Sequence, residues 1–405
     1  MKKDAHAVRT LTLKTTLSGT VAEIFSYEME WIMPAETKTS KKTMAIAALI
    51  VVNVLLLAVA GAWMIKKRMV GQGGFDKNPL VKNLVFTRKE FPEATGIARE
   101  AFVLNNWHQG VGSEWWYFNA HMIDERGRRY TVMITFLNTN FVYGIISDID
   151  SEQAFKINNA VPISIDPVDR TLTAGIFSFK QPDPRYFCYR FDTEVPGSAL
   201  SLELCANKEP LRVGGKGQIP MGQNGKSYYF SLTNMTVQGT GTFGNHPIRL
   251  KGKGWLDRQW GNWSVEDFDK WRWFSIQLND NTEIMIFNFM LKGRPVSPLC
   301  DIVPPEGERE HNLRYIIETT DNWISPRTNV SWSAAWEIKF PTKNMVLRIT
   351  PDFADQEVTD ALWEGGCRVE GEVDGKPVYG RAFYEERRRT FEDHKRALKK
   401  QGVTF

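Results

Sequence analysis

The chain has 405 residues, with 51 Lys and Arg against 47 Asp and Glu and a net charge of +4. The two signs are interspersed, which argues against nucleic acid as a partner. Single cysteines at 188, 205, 300 and 367 lack C-x-x-C spacing and the 6 His show no paired ligand spacing, so neither a metal site nor any other cofactor is expected.

Residues 1–42 read as a polar tail with no catalytic content. From Met44 to Ile65 the chain is apolar apart from Asn53, and about 22 such residues match the ~20 that cross a hydrocarbon core. A transmembrane helix is therefore expected over 43–66, flanked by Lys41 and Lys42 on one side and Lys66, Lys67 and Arg68 on the other, with Trp63 as an interfacial aromatic. A cleaved signal peptide competes, because Ala58-Val59-Ala60 has the small-x-small form of a cleavage site; the basic cluster that follows favours an anchor. Basic flanks on both sides leave orientation open, and the expectation is a single-pass membrane protein with its globular part on the extracytoplasmic, periplasmic side. Residues 67–100, interrupted by Gly71, Gly73, Gly74, Pro79 and Pro92, read as a linker.

Beyond it the pattern becomes short β-branched and aromatic runs, such as Tyr130–Phe136, Phe141–Ile146 and Glu283–Met290, bounded by turn clusters at 124–127, 279–281 and 373–376. With 14 Trp, 24 Phe and 11 Tyr, these strands predict an all-β sandwich or barrel that suits large apolar ligands. The one convincing soluble helix is Glu385 to Lys400, highly charged, and readable as a solvated helix or an interaction arm.

An internal duplication sets the domain count. Trp115-Trp-Tyr-Phe118 and its following apolar strand are echoed by Trp271-Arg-Trp-Phe274 and Glu283–Phe289, and Gly252-Lys-Gly-Trp-Leu-Asp257 is echoed by Gly380-Arg-Ala-Phe-Tyr-Glu385. Each half opens on an aromatic hairpin and closes on a strand bearing an acid. The expected domains are 101–265 and 266–405, the second carrying the charged helix.

Two segments could carry chemistry. On a strand through Gly254–Gly261, Trp255, Asp257 and Gln259 share one face and Leu256, Arg258 and Trp260 the other. An acid among apolar rings is disfavoured in its charged form, so Asp257 is a candidate proton donor; the alternative is a structural Asp bonded to a backbone amide or an Arg. In Ser113–Phe118, Glu114, Trp116 and Phe118 share a face, and Trp115 and Tyr117 the other. Glu114 is a second catalytic candidate, or else a buried partner of Arg258. His108 stands just upstream, and Glu364 and Glu385 are the matching acids of the second half, read as structural. There is no G-x-S-x-G elbow, H-E-x-x-H, phosphate loop or dinucleotide fingerprint.

At Glu114–Tyr117, Trp255–Gly261, Trp273–Leu278, Trp323–Pro326, Asp355–Glu357, Trp363–Gly365, Gly380-Arg381 and Glu385, the sequence resembles the lipocalin-like family that contains carotenoid 1,2-hydratase (hydroxyneurosporene synthase, CrtC) and the AttH-type predicted hydrolases. The resemblance runs from Phe102 to Glu385 and implies two tandem lipocalin-like antiparallel β-barrels behind the transmembrane helix. It also implies cofactor-free, hydration-like acid–base chemistry on a hydrophobic isoprenoid or lipid-like substrate, as in a hydro-lyase. In the hydratases an Asp in a Tyr-x-Asp strand motif is thought to protonate the alkene. The matching positions here are Asp257 and Trp255, and the region where the hydratases use a His and a Trp reads Tyr228-Tyr-Phe230, which moves the chain toward the AttH-like branch. Trp255, Trp115, Trp116, Tyr117, Gln259, Trp260, His108, Tyr228 and Phe230 are the expected substrate-binding residues. The alternative is a non-catalytic carrier of lipid or another hydrophobic ligand in the cell envelope.

Overall fold

The computed structural model describes residues 75, 78, 81–221, 225–243, 246–263, 268–291 and 294–389. Within them the β-branched and aromatic runs become two antiparallel sheets. The first follows the order β4 (Gln153–Ala160), β3 (Phe141–Asp148), β2 (Arg129–Leu137), β1 (Ser113–Asp124), β13 (His246–Asn262), β12 (Gly225–Phe243), β9 (Ser198–Ala206), β8 (Cys188–Val195), β7 (Phe177–Lys180), β6 (Thr171–Ala174) and β5 (Ser164–Asp166). Short strands β10 (Leu211–Arg212) and β11 (Gln218–Met221) also pair with β12. The second sheet runs β16 (Arg294–Val303), β15 (Glu283–Leu291), β14 (Lys270–Leu278), β22 (Lys376–Arg388), β21 (Leu362–Val373), β19 (Met345–Pro351), β18 (Ser331–Phe340) and β17 (Ile316–Ile324), with β20 (Glu357–Thr359) beside β21.

Each sheet curls over its own apolar core. In the first, Phe118 on β1 meets Phe179 on β7 and Phe191 on β8, with centroids 5.5 and 4.8 Å apart. In the second, Phe274, Trp336 and Tyr384 pack together. The curls are half-barrels, a correction to the closed barrels expected. Among the described residues β4 and β5 form no ladder with each other. Pro162 lies in the link between them and has no N–H for a ladder, and polar edges discourage pairing.

A third core lies between the half-barrels, in one compact unit. Tyr117, Tyr229, Trp255, Trp263, Trp271, Trp273, Phe287 and Phe383 line this seam. Polar bonds cross it: the Gln277 amide donates to the Thr233 and Gly254 carbonyls at 2.8 and 2.9 Å, and Asn119 donates to Ser275 at 3.1 Å. Arg381, bonded to Asp352, reaches His121. Gly252 and Gly380 have matching reasons to lack a side chain, since a Cβ would overlap the carbonyl oxygen of His121 or Gln277 on the paired strand.

The helix proposed from Glu385 does not start there, because β22 continues to Arg388, with Glu386 bonded inside the second half-barrel; its remainder lies outside the described residues. The end of the linker is packed, with Phe91, Ala94 and the short helix α1 (Ile97–Glu100) placing Ala98 in the first core, whereas residues 82–90 are largely exposed. The transmembrane segment falls outside the described residues, among which no helix is long and apolar enough to cross a membrane.

Candidate active site in the seam

Strand alternation and register build the site. β13 lies between β1 and β12, which sets Asp257 opposite Tyr117 on one side and Ser231 on the other. Its carboxylate accepts three hydrogen bonds of 2.6 Å: from Ser231 Oγ and Trp255 Nε1 at Oδ1, and from Tyr229 at Oδ2. The Tyr229 hydroxyl in turn accepts from Trp273 Nε1 at 2.8 Å across the seam. Asp257 is 3 % exposed. Burial raises its pKa to about 7, outweighing the three donors, and the nearby Glu385 charge adds to the rise. It pairs with neither candidate cation: Arg258 lies on the opposite face and Arg381 is held by Asp352.

The second half-barrel repeats this geometry. β22 lies between β14 and β21, which sets Glu385 opposite Trp273 and Glu364. Tyr117 and Trp273 are matching positions of the duplication, so Glu385 is the counterpart of Asp257. Trp271 Nε1 donates to Glu385. Burial raises the pKa of both glutamates, and each sits beside the other's carboxyl; Glu364 is displaced furthest, and its Oε2 is buried without a hydrogen-bond partner.

The inner face of the first half-barrel holds a separate cluster. Glu114 is ion-paired with Arg258 and accepts from the His108 backbone N–H at 2.8 Å, with His108 Nδ1 at 2.9 Å. The Arg258 guanidinium lies over Trp116 at 4.6 Å and Trp260 at 5.1 Å. His108 stacks on Trp260 at 4.3 Å. Burial pushes the Glu114 carboxyl up, but His108 and Arg258 more than compensate and hold it below its ordinary value.

The expected site residues thus divide between two faces. Asp257, Trp255, Tyr117, Trp115 and Gln259 belong to the seam face, whereas Glu114, Trp116, Trp260, His108, Tyr228 and Phe230 belong to the inner face. Glu114 therefore does not join Asp257. Neither Tyr228 nor Phe230 joins it; both stack on Trp260. The residues that do surround Asp257 include Tyr229, Ser231 and Trp273, none of which is among the expected substrate-binding residues. The alternation of Tyr229 and Ser231 with inward-facing Phe230 was readable, but their register against Asp257 was not. Gln259 is fully buried with neither amide atom partnered.

The AttH-like family model matches residues 172–385. A dehydratase of Emericella nidulans, asqC, is 22 % identical over 174 residues, which are 40 % of this chain and 49 % of the relative; the chain thus spans about half the length of the curated relative it matches. Two crystal structures share the fold. An AttH protein of Nitrosomonas europaea superposes with a TM-score of 0.63 at 20 % identity over 74 % of this chain and 98 % of that one. Kievitone hydratase of Nectria haematococca does so with 0.61 at 18 % identity, over 79 % and 97 %.

Proposed function

The chain belongs to the AttH-like family, and from that premise we propose that it is a cofactor-free hydratase or dehydratase of a neutral, hydrophobic, isoprenoid or lipid-like substrate, with Asp257 as the proton donor. The observation that carries this reading is a carboxyl held among indoles and phenols, with no cation paired to it and a pKa near the pH at which it must work. Hydration and dehydration are opposite directions of one class of reaction, and the similar proteins include a dehydratase and a hydratase.

In the hydration direction, the Asp257 proton goes to the less substituted carbon of a terminal isoprenoid double bond. The resulting tertiary cation is stabilised by nearby indoles such as Trp255 and Trp273, at ~0.5–2 kcal/mol each. Water then forms the C–O bond and releases a proton. In reverse, the hydroxyl leaves as water and the Asp257 carboxylate takes the proton from the carbon next to the cation. Gln259, two residues along β13 and so ~7 Å away, offers its unpartnered amide to a hydroxyl or carbonyl of the substrate. Three carboxyls without an ion-pair partner among the described residues, Asp257, Glu364 and Glu385, argue against an anionic substrate. Since Asp257 is almost wholly buried, substrate reaches it only where seam side chains part.

The same proposal places the half-barrels on the extracytoplasmic side, tethered through residues 44–65. The Cys188–Cys205 disulfide supports this, because such bonds persist in oxidising compartments.

The test is turnover of a prenylated phenol in heavy-oxygen water, followed by mass spectrometry. Asp257→Asn should lower oxygen incorporation by about 100-fold or more while leaving folding and retention of the probe intact. Undiminished incorporation removes Asp257 from the mechanism.

A further inference from the structure

Glu364 and Glu385 are directly opposed on β21 and β22, and both turn toward the seam, since their neighbours at i±2, Leu362 and Phe383, belong to the seam core. Like charges directly opposite one another on a sheet destabilise it, more so where water cannot screen them. Other buried carboxylates of this half-barrel are compensated: Glu357 by Arg327, Glu386 by Lys270 and Arg388, and Asp352 by Arg381. Among the described residues, no ion pair is formed by Glu364, Glu385 or Asp257. A seam that needed only stability would not place three such groups together.

Their position relative to one another is set by the duplication. Asp257 opposes Tyr117, Glu385 opposes Trp273, and these two rings meet with centroids 5.1 Å apart. Trp273 also donates to Tyr229, which holds Asp257. The Tyr117 phenol feels the charge of all three carboxyls, Glu364 most strongly and Asp257 least.

We propose that Glu364 and Glu385 form a second acid–base group of the same site, a carboxyl pair that shares one proton and serves the side of the substrate away from Asp257. The proposal rests on the reading of Asp257 as proton donor and deepens it. In hydration, Asp257 gives its proton to the alkene carbon. The attacking water forms the C–O bond and loses its proton to the singly protonated pair, which becomes neutral. The proton then returns through solvent to the Asp257 carboxylate, which closes the balance. In dehydration the same steps run backwards: the neutral pair protonates the leaving hydroxyl, which departs as water, and the Asp257 carboxylate takes the carbon-bound proton. Singly protonated, the pair carries one negative charge near the carbocation and stabilises it, and the unbonded Glu364 Oε2 is free to accept from water.

The experiment uses the full chain and a prenylated phenol in water labelled with both heavy oxygen and deuterium. Wild type incorporates both labels. Glu364→Gln and Glu385→Gln each retain deuterium exchange at the alkene, which needs only Asp257, and lose heavy-oxygen incorporation by about 100-fold, as for removal of a general base. Both should melt no lower than wild type at neutral pH, because a Gln amide can donate to the remaining carboxylate without the shared proton. Unchanged oxygen incorporation in both variants overturns the proposal and leaves the Asp257 reading standing. Equal loss of both labels in variants that melt normally also overturns it, since the pair would then act only through Asp257. Wild type that incorporates neither label overturns the Asp257 reading and the proposal with it. Infrared spectroscopy gives a measure independent of turnover: a protonated-carboxyl C=O band at neutral pH should persist in Asp257→Asn and weaken when Glu364→Gln is added, the remainder belonging to Glu283, whose pKa burial also raises to about 7. A band that the added substitution leaves unchanged overturns the shared proton.

Discussion

Tyr117 and Trp273 hold the same position in the two halves of the chain, and their rings meet edge to face, 5.1 Å apart. Two positions further along each strand, Asn119 donates to Ser275 at 3.1 Å. Matching positions that touch one another imply a local two-fold relation between the halves. Asp257 and Glu385, each opposite one of the two rings, are therefore brought to the same seam by symmetry. Neither half-barrel contains the site alone.

Tyr229→Phe tests the grip on the acid. Tyr229 donates to Asp257 Oδ2 and accepts from Trp273. A donor to a carboxylate favours its charged form, so losing one raises the Asp257 pKa beyond about 7. The alkaline limb of the pH–rate profile, where the acid is lost, should shift to higher pH. Leaving the Trp273 N–H unpaired should cost about 1–3 kcal/mol in a denaturant melt. A limb that stays in place would show that Tyr229 does not bond the acid during turnover.

The sequence made the two faces of β1 and β13 legible, since Trp115 and Tyr117 do turn away from Glu114 and Trp116, and Trp255 and Asp257 away from Arg258 and Trp260. It also carried the duplication that pairs Asp257 with Glu385. Alternation assigns a residue to a face but does not say which strand lies beside it. That is why Tyr229, Ser231 and Trp273 are not among the expected site residues, and why only the structure separates the two candidates: Glu114 is the buried partner of Arg258, its alternative reading, on the face away from Asp257. The disulfide was hidden for the same reason: Cys188 and Cys205 look unrelated until β8 and β9 pair them directly.

Glu114→Gln should be costly for structure. Arg258 is 1 % exposed, between Trp116 and Trp260, and Glu114 is its ion-pair partner. Removing that partner leaves a buried charge alone, which costs about 3–5 kcal/mol, measurable by denaturant unfolding. Glu114→Met with Arg258→Leu should recover most of the loss, because neither charge then remains buried. The sign with pH follows from a depressed carboxyl: the contribution is present above the ordinary value of 4.5 and lost as pH falls through the folded value. The acid-side decline in wild-type stability should be shallower in Glu114→Gln.

The disulfide gives a thiol count. Cys300 and Cys367 are buried and their thiols are pushed up by burial, so the native chain should be unreactive to a thiol reagent. Unfolding without reductant should expose two thiols, and four would mean that Cys188 and Cys205 are not joined. Replacing both with Ser should cost about 3 kcal/mol, the loop-closure value for a ring of roughly this size.

Stability above the acid range tests whether the seam carboxyls hold protons. Asp257, Glu364 and Glu385 all have raised pKa values. The folded chain therefore keeps protons that the unfolded chain releases from about pH 4 upward. Their contribution to stability is complete below that point and is lost as pH rises through the folded values, about 7 for Asp257. For Asp257 alone the loss is on the order of 4 kcal/mol. Glu386, held down to about 2 by its cations against the opposing effect of burial, acts in the opposite sense and at lower pH, so the two effects separate. Asp257→Asn should match wild type near pH 4 and melt progressively higher than wild type up to about pH 8, gaining stability where it loses turnover. Parallel melting curves across that range would mean that Asp257 is not held protonated in the folded chain, and that the proton donor lies elsewhere.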